Sequence, residues 1–142
     1  MELNLTLPVP TSLNKLYINQ YGYNPKKRMR VPTGKRILSK EGQKSKNEIQ
    51  AEARVQMQGQ EWDYEWTKEG YVYLDTTIYF SRRGTDDNNI YKLLCDALEK
   101  ICYENDSRVL VRTQKIMYSP QDPRVEVRIH PVEFIGVFEG EE

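Results

Sequence analysis

Apolar and polar positions alternate at the start of the chain, where Leu3, Leu5 and Leu7 are separated by Asn4 and Thr6. The pattern predicts a first strand, ended by Pro8 and Pro10. Residues 11 to 37 show no sustained periodicity and contain Gly22, Pro25, Pro32 and Gly34, so they are expected to form a long loop. Ser39 is then placed to cap a helix running to about Gln58, with Ile49, Ala53 and Met57 as its buried stripe. Residues 59 to 70 read as a second connection, with Trp62 and Trp66 covering the core.

The clearest strand pattern is "YVYLDTTIYF". Val72, Leu74, Thr76, Ile78 and Phe80 alternate there with Tyr71, Tyr73, Asp75, Thr77 and Tyr79. A helix over about residues 89 to 101 follows, with Ile90, Leu94, Ala97, Leu98 and Ile101 on one face. Two β-rich runs, Val109 to Tyr118 and Val125 to Ile129, are separated by the turn-forming "SPQDPR" and are expected to pair antiparallel. The order β-α-β-α-β-β predicts an α/β (α+β) fold: one small domain with a mixed sheet and two helices. The chain contains no internal repeat.

Length agrees with this reading, since 142 residues suit a single domain spanning 1–142 with its own core. Its basic loop would lie at about 15–37 and its acidic tail at about 133–142, with Phe134, Ile135 and Phe138 as anchors. Apolar runs are short, and the N-terminus lacks the basic-then-apolar layout of a signal peptide. A cytoplasmic protein without membrane association is expected. Cys95 and Cys102 are seven residues apart in one helical pattern, roughly 10 Å along the axis, too far for a disulfide. They are expected to be reduced packing residues.

Charge changes the picture more. The chain is formally neutral, yet residues 15 to 46 carry ten Lys and Arg against one acid, Glu41, a net +9 that leaves −9 for the remainder. Lys15, Lys26, Lys27, Arg28, Arg30, Lys35 and Arg36 interleave there with Tyr17, Tyr21 and Tyr23. Such a block suits either a surface that tracks nucleic-acid phosphates and stacks on bases or a solvated loop.

Candidate chemistry lies in "GTDDNNIYKLLCDALEKICYEND", a helix pattern flanked by two polar clusters. Thr85, Asp86 or Asp87 has an ordinary use as a helix cap. The same residues, with Arg82 and Arg83 before them, Lys92 one turn on and Asp106 beyond, also supply the charges that phosphodiester hydrolysis requires. Carboxylates hold Mg²⁺, and a Lys or Arg holds the phosphate. His130 is the only histidine, which disfavours His-based metal sites and catalytic triads. No Gly-rich phosphate or dinucleotide loop is present, and no organic cofactor is expected.

"DDNNIYKLLCDAL" followed by "YENDSRV" resembles the RusA-type Holliday junction resolvases, in which Asp-x-Asp-Asn-x-x-Lys begins a helix, Asp-Ala-Leu lies inside it and Asp-Asp-x-x-Val starts the next strand. "LPVPTSLNKLY" is similar to that family's Pro-x-Ser-x-Asn-x-x-Tyr opening, and "ILSKEGQ" to its Ser-x-Glu-Gly helix start. The resemblance covers about residues 3 to 130. By position it implies Asp86 as the first catalytic aspartate, Asn88 at the second, Asn89 and Lys92 as the motif's asparagine and lysine, and Asp106 as the third aspartate. It places an acid at Asp96 as well.

The departure is Asn88, whose amide oxygen can ligate Mg²⁺ but brings no charge. Asp87 stands next to it, so the expected metal ligands are Asp86 and Asp106, with Asp87 or Asn88 as the third, and Lys92 as the phosphate contact. Arg82, Arg83 and the basic block would bind DNA. The resemblance further implies a homodimer that resolves four-way DNA junctions in recombination and repair with Mg²⁺, or Mn²⁺, in a bacterial or prophage setting. Two alternatives stand beside it. One is a catalytically weak or inactive protein of the same fold that binds branched DNA; the other is an interaction domain in which Asp86 and Asp87 only cap a helix.

Chain geometry limits how Asp86 and Asp106 can share one site. A helix over residues 89 to 101 would be about 20 Å long, and five further residues span at most roughly 17 Å. Asp86 and Asp106 therefore meet in one chain only if residues 102 to 106 fold straight back or the helix is shorter. Otherwise a second subunit completes the site.

Overall fold

The computed structural model describes residues 1–133. The acidic tail expected beyond them, with Phe134, Ile135 and Phe138, lies outside the described residues. The body is a four-stranded sheet with helices against one face. In chain order its elements are β1 (Leu3–Leu7), α2 (Lys40–Met57), β4 (Val72–Phe80), α3 (Asn88–Leu98), β5 (Val109–Tyr118) and β6 (Arg124–Pro131). Between β1 and α2 come a four-residue helix, α1 (Leu13–Leu16), and two further strands, β2 (Tyr17–Asn24) and β3 (Met29–Leu38). The fold is a small α/β domain with a mixed sheet. None of the helices among the described residues is long and apolar enough to cross a membrane.

The sheet order β1-β6-β4-β5 corrects the expected pairing of β5 with β6. β4 lies between them, antiparallel to β6 and parallel to β5. The helix α3 is the reason. It carries the chain back to the start of β4 before β5 begins, which is the crossover that parallel neighbours require. The "SPQDPR" segment therefore steps across β4 instead of closing a hairpin.

The core follows the predicted stripes. Leu3, Leu5 and Leu7 of β1, Leu74 and Ile78 of β4, and Val125, Val127 and Ile129 of β6 meet Ile49 and Ala53 of α2 and Ile90, Leu94, Ala97 and Leu98 of α3. Each large aliphatic side chain buried there contributes roughly 1.5–3 kcal/mol relative to exposure. Trp62 and Trp66 pack against the cluster from the connection after α2, as expected. Ile101 falls beyond the end of α3 and is only partly buried. Both cysteines are free thiols, and burial pushes Cys95 up to about 11 and Cys102 to about 12.

The outer edge of β1 is closed by side-chain amides in place of a neighbouring strand. Gln56 accepts from the Thr6 N–H at 2.7 Å and donates to the Thr6 carbonyl at 2.7 Å. Gln60 does the same for Asn4, at 2.9 and 2.8 Å. Both glutamines thereby satisfy backbone groups that would otherwise invite edge-to-edge pairing.

The larger correction concerns residues 11 to 37, expected as a loop. β2 and β3 pair antiparallel as a two-stranded arm separate from the main sheet. At its tip the Asn24 side chain accepts from the N–H groups of Lys26 and Lys27, and Arg28 takes a positive φ of 50°. A ribbon largely exposed on both faces needs no apolar alternation, so periodicity does not reveal it. Pro32 fits because it pairs with Tyr21 beside the register shift, at the edge of a two-stranded sheet.

The base of the arm is fixed by the segment that resembled a Ser-x-Glu-Gly motif. Ser39 caps α2 by accepting from the Gly42 N–H at 2.9 Å, and its hydroxyl donates to the Lys15 carbonyl at 2.7 Å. The Ser39 N–H donates to the Leu16 carbonyl at 2.8 Å. Gly42 is required by crowding, since a Cβ there would lie 2.9 Å from both the Leu16 carbonyl oxygen and Leu16 Cδ1. The motif ties the two ends of the arm to the start of α2.

Candidate active site

The shorter α3 answers part of the geometric question. The helix ends at Leu98, Lys100 takes a positive φ of 67°, and the Lys100 N–H donates to the Tyr103 carbonyl at 2.7 Å. The chain thus turns back at once. Its return is secured by the Asp106 N–H, which donates to a Glu99 carboxylate oxygen at 2.9 Å, and by the buried Tyr103, which donates to the Cys95 carbonyl at 2.7 Å.

The fold-back brings Asp106 to Asp96 and Glu99, at the C-terminal end of α3. Burial, the Glu99 charge and hydrogen bonding with Asp96 and Glu99 raise the Asp106 carboxyl above the usual carboxylate range. Lys92 lies one turn before Asp96 and forms an ion pair with it at 3.3 Å, which raises the lysine further. The family resemblance marked an acid at Asp96, and Glu99 was missed. The spacing of Asp96 and Glu99, three apart on one helix, was the available signal.

Asp86, Asp87 and Asn88 stand at the opposite end. Asp96 is eight residues beyond Asn88, roughly 12 Å along the helix axis. Among the described residues no group of three His, Cys, Asp or Glu side chains is arranged to hold a metal ion. Asp86 is exposed and accepts from the Asn88 N–H at 2.9 Å, so it does act as a local cap. Asp87 is engaged elsewhere. It accepts from the Thr113 hydroxyl at 2.7 Å, and Thr113 in turn bonds Tyr91, whose hydroxyl reaches Thr76 at 2.7 Å. This chain of hydroxyls ties the start of α3 to β4 and β5. Asn88 is exposed.

The basic candidates are all exposed. Lys15 is in α1; Lys26, Lys27 and Arg28 form the tip of the arm; Arg30, Lys35 and Arg36 are in β3. Arg30 donates to the Tyr21 carbonyl at 3.2 Å, and Arg36 lies 5.8 Å from the centre of the Tyr17 ring. The short helix α1, which leads directly into the arm at Tyr17, packs against α3 and α2. The arm is therefore rooted beside α3. Arg82 and Arg83 occupy the exposed turn between β4 and α3, near Asp86.

A second polar cluster lies on the sheet face away from the helices. Asp75, only 7% exposed, accepts from Arg112 at 2.6 and 2.8 Å and contacts His130 Nε2 at 2.7 Å. The Arg112 guanidinium also stacks 3.6 Å over the Tyr73 ring. Burial opposes the charge on Asp75, but Arg112 and His130 outweigh it and hold its carboxyl below the usual range. His130, the only histidine in the chain, has a structural partner here.

Comparison with known proteins follows the same residues. A family model described as Endodeoxyribonuclease RusA matches residues 22–130, a span that includes most of the arm and both ends of α3. No curated protein matches the chain. With well over half of its length matched, the chain belongs to the RusA endodeoxyribonuclease family.

Proposed function

We propose that this endodeoxyribonuclease cuts four-way DNA junctions as a homodimer, in recombination and repair, with Mg²⁺ or Mn²⁺ as its cofactor. The observation that carries the reading is the setting of Asp106. A carboxyl crowded by Asp96 and Glu99 and raised above its usual range is relieved by a divalent cation. The donors also fit chemically: the carboxylates of Asp86 and Asp106 and the amide oxygen of Asn88 are the hard oxygen ligands that Mg²⁺ takes.

In one chain those donors stand at opposite ends of α3, and a second subunit removes the difficulty. A two-fold axis crossing α3 at right angles runs the two copies of the helix antiparallel. Asp86 and Asn88 of one protomer would then hold the ion together with Asp106 of the partner subunit. Bound Mg²⁺ supplies water activation and neutralises charge developing on the phosphate. Asp87 stays with Thr113 and fixes the start of α3.

The chain's other groups position the DNA. Lys92, exposed and one turn from Asn88, offers an ammonium to the phosphate, and Asp96 holds that ammonium until DNA exchanges with it. The arm's lysines and arginines release counterions from the phosphates, a sequence-independent contribution that suits recognition of branch shape. A two-fold enzyme matches the two equivalent strands that must be cut.

A second reading is favoured by Asn88 alone. With one negative charge fewer, the same fold would bind junctions and cut them weakly or not at all. Incubation of a synthetic mobile four-way junction with Mg²⁺ or Mn²⁺ separates the two. Symmetric nicking that Asp106→Asn abolishes supports the nuclease; binding without nicking under both metals supports the second reading.

A further inference from the structure

Thr76 interrupts the apolar face of β4. Val72, Leu74, Ile78 and Phe80 are buried at the alternate positions of that strand, and Thr76, 1% exposed among them, is the polar member of the series. Its hydroxyl meets Tyr91, Tyr91 meets Thr113, and Thr113 meets Asp87. Hydrogen counting gives this chain a direction. An ionised carboxylate only accepts and each hydroxyl has one hydrogen to give, so Thr113 donates to Asp87, Tyr91 to Thr113 and Thr76 to Tyr91. Asp87 occupies the N-cap position of α3, yet its side chain caps no helical N–H, and its partner lies on β5, 26 residues along the chain. β5 is irregular at the same point: Thr113 pairs with Thr76 but Lys115 with Thr77, so Gln114 bulges out of the ladder beside Thr113. Bulges re-aim the side chains next to them.

We infer that Tyr91 and Thr113 are positioning residues for the metal-binding end of α3: through Asp87 they hold Asp86 and Asn88, on either side of it, in the arrangement that takes the divalent cation. The inference rests on the nuclease reading for what is positioned. Asp86 and Asn88 are exposed, and Asp86 bonds the Asn88 N–H within the same turn, which fixes the two to each other but not to the sheet. Asp87 supplies that missing tie. Packing alone would be served by apolar side chains at 76, 91 and 113, because replacing a buried hydrogen-bonded set by apolar groups of the same shape is close to neutral. A directed hydrogen-bond chain adds a fixed distance and orientation, which metal ligands need to within about 0.5 Å. Such outer partners express themselves as metal affinity.

The test follows three quantities in the full chain: Mn²⁺ binding by electron paramagnetic resonance, the Mg²⁺ dependence of junction nicking, and junction binding in EDTA. Tyr91→Phe, which removes one oxygen, and Thr113→Val should weaken Mn²⁺ binding and raise the Mg²⁺ concentration for half-maximal nicking by roughly three- to tenfold. The nicking rate at saturating Mg²⁺ and the junction affinity in EDTA should stay within about twofold. Thr113→Ser, which keeps the hydroxyl, should restore both metal readouts. Thr76→Val, which leaves the bonds from Tyr91 through Thr113 to Asp87 in place, should alter neither. Thermal melts identify a variant that fails to fold, and Tyr91→Phe then decides alone. A lower Tm with unchanged Mn²⁺ binding and Mg²⁺ requirement overturns the positioning role in favour of packing and leaves the nuclease intact. Equal losses in Thr113→Ser and Thr113→Val overturn it too. Mn²⁺ binding that weakens in Tyr91→Phe, with no nicking by any chain, upholds the positioning and removes the nuclease. An unmodified chain that neither binds Mn²⁺ nor nicks overturns both.

Discussion

The Asp106 N–H donates to a Glu99 carboxylate oxygen at 2.9 Å, and this bond closes the turn that returns the chain along α3. It also fixes a carboxylate beside two others. Such crowding costs stability when the groups are charged, so Asp106→Asn should stabilise the fold while abolishing cleavage. A gain of ~0.5–1 kcal/mol is expected, or about 2–4 °C in Tm near neutral pH. Thermal melts in EDTA check it; a lower Tm would mean that the Asp106 carboxylate is structural.

Asn88 sets a second expectation. Asn88→Asp adds the missing charge to the donor set at an exposed position, where the substitution disturbs no packing. The Mg²⁺ concentration for half-maximal nicking should fall by roughly tenfold, the effect of about 1.4 kcal/mol of extra ion binding. An unchanged metal requirement would show that the residue at 88 does not ligate.

Asp75 gives the chain a pH-dependent source of stability remote from the site. Its folded-state carboxyl is held below its ordinary value, so its contribution is present above the unfolded pKa of about 3.9 and is lost as pH falls through the folded value. Asp75→Asn should cost about 1–3 kcal/mol at pH 7 through the lost bonds to Arg112 and His130. Urea titrations of both chains should converge as pH drops below about 4. A gap that persists undiminished at pH 2.5 would contradict this assignment.

Gly42→Ala tests what fixes the arm. Alanine is the better helix former by about 1 kcal/mol, yet its Cβ would press on the Leu16 carbonyl oxygen at 2.9 Å. A net loss of about 1–3 kcal/mol is expected, with weaker junction binding as the arm's base shifts. A stabilised variant with unaltered binding would show that the contact relaxes freely.

The residues that pack were legible from periodicity. β1, α2, β4 and α3 announced their buried faces because each has one apolar side, as Leu3, Leu5 and Leu7 or Ile90, Leu94 and Ala97 illustrate. The β2–β3 arm was hidden because Tyr21 and Tyr23 face solvent, so burial imposes no pattern on it. The β5 position beside β4 was hidden too, since pairing depends on where α3 delivers the chain and not on the composition of β5. Of the candidate residues, charge type marked Asp86, Lys92 and Asp106, and the family resemblance added Asn88. They did not show that Thr113 holds Asp87 or that Glu99 and Asp96 hold Asp106, because both contacts arise from the fold-back after Leu98.

The central claim is that Asp86 of one protomer works with Asp106 of the partner subunit. It is tested most directly by a mixed dimer of an Asp86→Asn chain and an Asp106→Asn chain, co-expressed with different tags and purified through both. Shared sites leave one of the two positions with both aspartates intact. The mixed dimer should then nick one strand of a four-way junction at roughly half the rate of the unmodified dimer, although each variant alone is inactive. Sites contained within single chains would leave every position lacking one aspartate, and nicking by the mixed dimer no greater than that of either variant alone would contradict the claim.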